Sequence, residues 1–405
     1  MKKALIFGAV LIALLPGGVR AKEQKPAKYL LKNDITVILK ENHSNQIIAL
    51  QLFIRSGSLY EAEENSGISY LTQNLIIRGT AARTAEQTAN ELETNGVIIN
   101  VAAAEDYASL SMLATTVNFA KGLEILSDCV NQPIFNVADV ETEKALALSR
   151  IKAENDNTFE FCFKKFKKEL YGAHAYGLSV TGSEESIKRI TREMIIANYS
   201  ANYVGSRMVI SVVGNFEEEE MKNRLEDAFG GLHAGMPQLP VQPFAPGAGP
   251  ETKPDTVFEK ELNQAFIMIG FPTCPASGED YTALKVLNTL MGEGMSSRLF
   301  INLREKQGLA YEVGSFMPTK LYTSFFACYM GLSPNNVEVC KKGILREIDS
   351  IKESLPSEEE LARVKNQILG NFALDHEKNA RQAWYLGWYQ TIDMGFEFDA
   401  AYREE

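Results

Sequence analysis

Histidine and cysteine are the side chains most often used to bind metals or to act as nucleophiles, and in this chain they are scattered. The four histidines are isolated, and no two of them lie four positions apart as a helical zinc motif requires. The five cysteines form no C-x-x-C pair, so neither a thiolate zinc site nor a disulfide framework is predicted, and whether any two are joined stays open. No G-x-S-x-G, P-loop or dinucleotide-binding fingerprint is present. From the residue types alone, no complete catalytic group is predicted.

The elements that would position a site follow a repeated pattern of strand and helix. In the first part of the chain, the apolar runs 35–39 and 47–54 are typical of strands, and a helix is predicted over 67–78. In the second part, a strand over 264–271 precedes a helix over 281–291. This order indicates duplication of one α+β unit.

Short motifs predict where further elements begin. The sequences Thr84-x-x-Gln87 and Ser357-x-x-Glu360 are typical of capping boxes that open helices. Between 97 and 113, two strand-like runs flank Glu105-Asp106, which predicts a hairpin.

Length and charge limit the class of protein. A chain of 405 residues suggests two or three domains, and 45 % apolar residues supply a sizeable core for each. The net charge of −11 argues against nucleic-acid binding, which needs clustered basic residues. The one basic cluster, residues 164–168, is interpreted as a solvated helix face.

The first 21 residues are typical of a secretory signal peptide. Two lysines precede an apolar run that is too short to span a bilayer, and the small residue Ala21 ends the segment. Export is therefore predicted, to the periplasm if the source is a Gram-negative bacterium, and no stable membrane span is expected in the mature chain.

A proline-rich segment divides the mature chain. Residues 236–256 contain six prolines and two glycines, which neither a helix nor a central strand accommodates. We interpret this segment as a linker between a domain over 22–235 and a second over 257–405.

One stretch resembles the active-site segment of the M16 zinc peptidases, a family that includes pitrilysin, insulin-degrading enzyme and mitochondrial processing peptidase. In that family Gly-Ser and Gly-Ile-Ser precede an H-x-x-E-H motif and Gly-Thr follows it. Here 57–58, 67–69 and 79–80 read the same and stand in the same order. Further family-like runs are 173–177, 182–187, 212–216 and 296–311.

The resemblance extends over roughly residues 28–400 and implies an α+β fold. It implies two homologous domains, each a mainly antiparallel sheet with helices packed on one face. It also implies a further helix beyond the final residues 401–405.

The resemblance fails at the positions where the family binds zinc. Two histidines and the general base of the motif correspond here to Tyr70, Asn74 and Gln73, and the downstream glutamate corresponds to Ser149. A phenol with a pKa of about 10 stays protonated at neutral pH, and the amide and hydroxyl groups are weak neutral ligands. Gln73 cannot accept a proton as a carboxylate does. No metal and no other cofactor are therefore expected in this chain.

A second family site is matched. M16 peptidases use an arginine and a tyrosine seven positions apart to hold the substrate backbone and the developing oxyanion, and these correspond to Arg304 and Tyr311. A guanidinium group and a phenolic O–H are donors suited to a carbonyl oxygen. The alternative is that Arg304 caps a helix and Tyr311 begins a strand as a packing aromatic.

These matches imply a non-catalytic subunit of a two-chain M16 endopeptidase. The partner would carry the intact H-x-x-E-H motif and the zinc, and this chain would supply Arg304 and Tyr311 in trans. Peptide or unfolded polypeptide would be the substrate. In active relatives the substrate adds to a sheet edge, which corresponds here to the strand Ile98, Ile99, Asn100, Val101 and Ala102.

Two other interpretations remain open at this stage. In the first, the chain is an inactive homologue that binds peptides or serves as a scaffold in an extracytoplasmic complex, and Arg304 and Tyr311 have no catalytic role. In the second, the chain is an active homodimer that uses a different metal.

Overall fold

The computed structural model describes residues 25–236, 255–260 and 264–404. The predicted signal peptide, 1–21, lies outside these residues, as does most of the predicted linker, 236–256. None of the helices in the described ranges is long and apolar enough to cross a membrane.

The first part of the chain forms a six-stranded sheet. Its strands are β1 (Ala27–Leu30), β2 (Thr36–Glu41), β3 (Ile47–Ile54), β4 (Ile98–Ala103), β5 (Ala108–Thr115) and β6 (Met208–Gly214). They lie in the order β1-β2-β6-β3-β5-β4, and β2–β6 is the parallel pair in an otherwise antiparallel sheet. The strand β3 is an almost continuous apolar run because both of its faces are buried.

Eight helices accompany this sheet in the described residues. They are α1 (Ile68–Leu75), α2 (Ala85–Thr94), α3 (Phe119–Asn131), α4 (Val137–Asp156), α5 (Thr158–Tyr171), α6 (Glu184–Arg189), α7 (Arg192–Asn202) and α8 (Glu218–Phe229). The apolar faces of α3 and α8 pack on the sheet and bury Leu123, Leu126 and Leu225 with the strand residues. A second cluster joins α1, α4 and α7 through Leu71, Ala147 and Ile195.

The second part builds a smaller sheet of three antiparallel strands. These are β7 (Ala265–Thr273), β8 (Ala310–Phe316) and β9 (Ser324–Leu332), with β9 in the centre. The helices are α9 (Tyr281–Gly292), α10 (Val337–Glu353), α11 (Glu358–Asp375), α12 (Asn379–Thr391) and α13 (Phe398–Ala401). Residues of α9 and α10 cover one face of this sheet.

Each sheet is covered on its other face by a helix from the opposite part of the chain. Helix α12 lies on the six-stranded sheet, where Leu386 packs near Phe53 and Ser211 donates to the Ala383 carbonyl oxygen at 2.5 Å. A Cβ at Gly387 would lie 2.5 Å from the Ser211 hydroxyl, so glycine is what permits this close approach. Helix α5 in turn covers the three-stranded sheet. The two parts are therefore interlocked rather than joined only by a linker.

The predicted α+β fold with two mainly antiparallel sheets is confirmed. The capping box at Thr84 is confirmed, because Thr84 accepts from the Gln87 N–H and the Gln87 side chain accepts from the Thr84 N–H. At Ser357 only half of the predicted box forms: Ser357 accepts from the Glu360 N–H, but the Glu360 carboxylate pairs with Arg298 instead. The predicted hairpin is the pair β4–β5, with Glu105 in its turn. All five cysteines are free thiols.

The interpretation of residues 164–168 as a solvated helix face is wrong for one of the four lysines. Lys167 is only 7 % exposed and forms an ion pair with Glu105 at 2.8 Å. The reason is that α5 lies between the two sheets, so one of its faces is buried on the second sheet and at the junction.

Candidate functional site

Helix α1 carries positions 70, 73 and 74, and a buried carboxylate fixes its N-terminus. Glu61 accepts hydrogen bonds from the backbone N–H groups of Gly67 and Ser69, both at 2.8 Å. Burial raises the pKa of Glu61 to about 7. Gly67 has a φ of +91°, a left-handed conformation that glycine adopts most readily. The entry to the helix is therefore well defined, although the family's metal ligands are not present on it.

Gln73, at the position of the family's general base, is part of the protein interior. Its side chain is fully buried, and its amide nitrogen donates to the Ser109 carbonyl oxygen at 2.6 Å. Its amide oxygen accepts a hydrogen bond from the Tyr203 hydroxyl. Both ends of the amide are thus satisfied within the fold. A structural role accounts for this residue.

Tyr70 and Asn74 lie half-buried one turn apart on α1. The side-chain nitrogen of Asn74 donates to the Tyr70 carbonyl oxygen at 2.9 Å. The Arg150 guanidinium lies over the ring of Tyr70, 5.6 Å from its centroid, and its Nε donates to Glu154 at 3.1 Å. The space beside these two positions therefore has a cation as its neighbour, which is unfavourable for a divalent metal.

The structure places Ser149 on the exposed side of α4. Ala147 and Ile151 of α4 are buried against α1, whereas Ser149 is exposed. A helix turns by about 100° per residue, so Ser149 is roughly 200° around the axis from Ala147. Arg150 is the residue that reaches Tyr70. Counting along the sequence from the motif cannot resolve a one-residue difference of this kind.

The side chains on this face do not fit a zinc ion. They offer a phenol, two amides with protein partners and a guanidinium, and none of these is a good zinc ligand. Among the described residues, no group of three or more histidine, cysteine, aspartate or glutamate side chains is placed to hold a metal ion.

The strand predicted to bind peptide is the edge of the six-stranded sheet. Strand β4 pairs with β5 on one side, and its other side is the end of the strand order. Exposed and half-buried residues alternate along it, and Ile98 is 54 % exposed. The strand runs beside α1. In the part of the chain that the structure describes, this edge is unpaired, so its backbone groups can pair with an extended peptide.

Arg304 lies near the end of a π-helical segment, Phe300–Glu305. In this segment the Lys306 N–H donates to the Ile301 carbonyl oxygen at 3.0 Å. Such segments are rare and are found frequently at functional sites. The side chain of Arg304 is exposed, and its guanidinium lies over the Phe300 ring, 4.9 Å from the centroid.

Tyr311 is the extra residue of a β-bulge. Ala310 pairs with Leu332 and Glu312 pairs with Gly331, so Tyr311 has no partner position on β9. Bulges redirect a side chain and are common near active sites. Tyr311 is 67 % exposed, which does not fit a packing aromatic at the start of a strand.

A charged cluster that the sequence did not reveal joins the two parts of the chain. Glu105 accepts hydrogen bonds from Lys167 of α5 and from Lys320, which precedes β9. Burial alone would raise the pKa of Glu105, but the Lys320 and Lys167 ammonium groups hold it at about 2. The adjacent Asp106 accepts from the Tyr176 hydroxyl, and burial raises its pKa to about 6. Lys167 and Lys320 lie more than a hundred residues apart in the sequence, so the sequence gives no signal that they meet at Glu105.

Family models match two consecutive parts of the chain. Residues 36–184 match the model described as insulinase, peptidase family M16, and residues 189–368 match the one described as the peptidase M16 inactive domain. The two matches meet within α6, before the last strand of the first sheet.

Individual relatives are similar along most of their length. An uncharacterized zinc protease of Rickettsia felis is 28 % identical over 360 residues, which cover 88 % of this chain and 85 % of that protein. The beta subunit of the mitochondrial processing peptidase of Dictyostelium discoideum is 24 % identical over 382 residues, which cover 90 % and 79 %. A crystal structure of a peptidase M16 inactive domain from Pseudomonas fluorescens has a TM-score of 0.87 at 20 % identity and covers 94 % of this chain and 91 % of that one.

Proposed function

Because the chain belongs to the M16 peptidase family, we propose that it is the zinc-less subunit of a heteromeric M16 endopeptidase. A partner chain with an intact H-x-x-E-H motif supplies the metal and the general base. This chain supplies Arg304 and Tyr311 in trans. The substrate is a peptide or an unfolded segment of polypeptide.

The observation that carries the proposal is a contrast in exposure. At the family's zinc site, Gln73 is buried and hydrogen-bonded within the fold. Arg304 and Tyr311 are both exposed, and each stands on an irregular piece of backbone. Exposed side chains on irregular backbone contribute little to the stability of their own chain, which favours a role towards another molecule.

The chemistry suits a carbonyl oxygen that gains negative charge. A guanidinium group carries several N–H donors in a fixed plane, and the phenol adds one O–H donor. The turn between them is held by hydrogen bonds from the Gly308 N–H to the Arg304 carbonyl oxygen at 3.1 Å and from the Leu309 N–H to the Leu303 carbonyl oxygen at 3.0 Å. This backbone limits the relative movement of the two donors.

A second candidate function is peptide binding without cleavage. The free edge of β4 favours it, because an extended peptide can add to the sheet whether or not a metal is nearby. Under this alternative, Arg304 and Tyr311 have no effect on turnover. The pattern of residues 1–21 supports an extracytoplasmic location for either function.

Reconstitution with the partner tests the proposal. The partner is first identified by purifying this chain from its source and looking for an exported M16 chain with an intact H-x-x-E-H motif that purifies with it. We expect Arg304→Ala to lower kcat of the complex about 10²–10³-fold, which is the usual cost of removing one oxyanion donor. Arg304→Lys should restore little, because an ammonium group lacks the planar arrangement of donors.

Exposed Arg346 on α10 provides the matched control, and Arg346→Ala should leave kcat unchanged. Sizing of each complex checks assembly. Unchanged kcat in Arg304→Ala with assembly intact would favour the peptide-binding alternative.

A further inference from the structure

The π-helical segment Phe300–Glu305 carries Arg304, and Asn302 lies in the middle of it. The Lys306 N–H donates to the Ile301 carbonyl oxygen at 3.0 Å rather than to that of Asn302, its partner in an α-helix. A π turn contains one residue more than an α turn, so the residues that follow it are rotated about the helix axis. The direction of Arg304 therefore depends on this turn being maintained.

Three hydrogen bonds at Asn302 satisfy the polar groups of the turn. Its carbonyl oxygen accepts from the Gln307 side-chain nitrogen at 2.8 Å, and its amide oxygen accepts from the Lys306 ammonium at 3.0 Å. Its amide nitrogen donates to a carboxylate oxygen of Glu347 at 2.9 Å. Asn302 and Glu347 are half-buried, whereas Lys306 and Gln307 are exposed. The bond to Glu347 is thus the best protected from water, and it ties the turn to another helix.

Helix α10 is placed so that Glu347 reaches this turn. Leu303 is 1 % exposed and lies in one apolar cluster with Ile344 of α10. A Cβ at Gly343 would lie 2.8 Å from Leu303 Cδ2, which shows how closely the two helices approach. Gly343 and Glu347 are one helical turn apart and share a face of α10. The helix that buries Leu303 also supplies the acceptor for Asn302.

The turn that leads to Tyr311 is hydrogen-bonded to the same segment. The Gly308 N–H donates to the Arg304 carbonyl oxygen at 3.1 Å, and the Leu309 N–H donates to the Leu303 carbonyl oxygen at 3.0 Å. Both acceptors belong to Phe300–Glu305, so a change in the hydrogen bonding of this segment also moves the turn. A single asparagine can therefore act on both candidate donors.

We propose that Asn302, held by Glu347, is a positioning residue that keeps Arg304 and Tyr311 directed at the substrate carbonyl oxygen. It touches no substrate and acts through the backbone of the turn. The inference rests on the proposed function, in which these two donors serve the partner's reaction. A displacement of about 1 Å in such a group can lower the rate by as much as about 100-fold.

Exchange of donor and acceptor tests the bond between Asn302 and Glu347. Asn302→Asp places a carboxylate against the Glu347 carboxylate, and we expect kcat of the reconstituted complex to fall at least about tenfold. KM should change by less than about threefold, because the loss falls on the transition state. Adding Glu347→Gln supplies a donor for the new carboxylate and should restore most of kcat. Glu347→Gln alone keeps an acceptor oxygen for Asn302, so this matched control should keep kcat.

Amide hydrogen exchange of this chain alone is a second measurement, which needs no partner. The Gly308 and Leu309 amides should exchange at least about tenfold faster in Asn302→Asp and return to the original rate in the double variant. Unchanged exchange in Asn302→Asp, or a loss of kcat that Glu347→Gln does not restore, would overturn the inference. Full kcat in Asn302→Asp, when Arg304→Ala is impaired, would overturn it too. Full kcat in Arg304→Ala would instead refute the proposed function, and the positioning role with it.

Discussion

The α1 face and the segment around Arg304 and Tyr311 are both sites of chemistry in the M16 family. In this chain they differ in exposure to solvent. On α1, Gln73 is fully buried and both ends of its amide have protein partners. In the second part, Tyr311 is 67 % exposed in a β-bulge, and Arg304 is exposed on a π-helical segment. One region has become part of the interior, and the other still faces outwards.

The difference shows how the loss of a catalytic site can be recognised from packing rather than from residue identity alone. Substitution of the motif's ligands does not by itself exclude a metal, because other side chains nearby can bind one. When the substituted side chains are satisfied inside the fold and a guanidinium lies beside them, that explanation no longer fits. The exposed pair has no such internal explanation.

The largest expected effect is on metal binding. If Arg150 occupies the downstream ligand position, then Tyr70→His, Asn74→His and Arg150→Glu together should bind about one zinc ion per chain by elemental analysis. The same two histidines with Ser149→Glu should bind at least about tenfold more weakly, because position 149 faces solvent and the Arg150 cation remains. Equal affinity of the two variants would contradict the placement of Arg150.

The next effect is on stability. Gln73→Glu should lower the free energy of unfolding at pH 7 by about 2–3 kcal/mol, since a carboxylate would face the Ser109 carbonyl oxygen and lose a buried donor. Urea unfolding measures this difference. Gln87→Glu is the matched control, because that side chain lies in an exposed capping box that glutamate also satisfies, and it should change stability by less than about 0.5 kcal/mol. A neutral effect of Gln73→Glu would mean that α1 is less closely packed than described.

A smaller effect concerns pH and the N-terminus of α1. Because burial raises the pKa of Glu61 to about 7, the folded state holds a proton between pH 4.5 and 7 that the unfolded state has released. The contribution of this group is therefore complete below pH 4.5 and is lost as the pH rises through 7. Its slope approaches about 1 kcal/mol per pH unit near pH 6. Glu61→Gln should remove that part of the pH dependence, and an unchanged slope of stability against pH would contradict it.

Much of the fold could be predicted from local sequence. The β3 run, the hairpin around Glu105 and the capping box at Thr84 depend on residues close together in the chain, and all are confirmed. The N-cap at Ser357 is also confirmed, but Glu360 pairs with the distant Arg298 instead of completing the box. The packing of α5 on the three-stranded sheet and of α12 on the six-stranded sheet could not be predicted in this way. It depends on contacts between residues about a hundred or more positions apart. The aromatic spacing Phe159, Phe163, Phe166 on α5 was the available signal, since it places three rings on one helix face.

The residues of the candidate site could be predicted only as precisely as the resemblance to the family aligns them. Tyr70, Gln73 and Asn74 follow from one continuous motif, but the downstream position depends on loop lengths over about seventy-five residues. The rotation of α4 decides between Ser149 and Arg150, and only the packing of Ala147 and Ile151 fixes that rotation. The cluster of Glu105, Lys167 and Lys320 could not be predicted from the sequence, because these residues meet only where the two parts of the chain pack together.

The most direct test of the account is the kcat of the reconstituted two-chain complex with Tyr311→Phe. This change removes one exposed oxygen and little packing, so assembly and the stability of the chain should be preserved. We predict that kcat falls about 10²–10³-fold while sizing shows an intact complex. Full activity with intact assembly would contradict the claim that this chain donates to the partner's reaction.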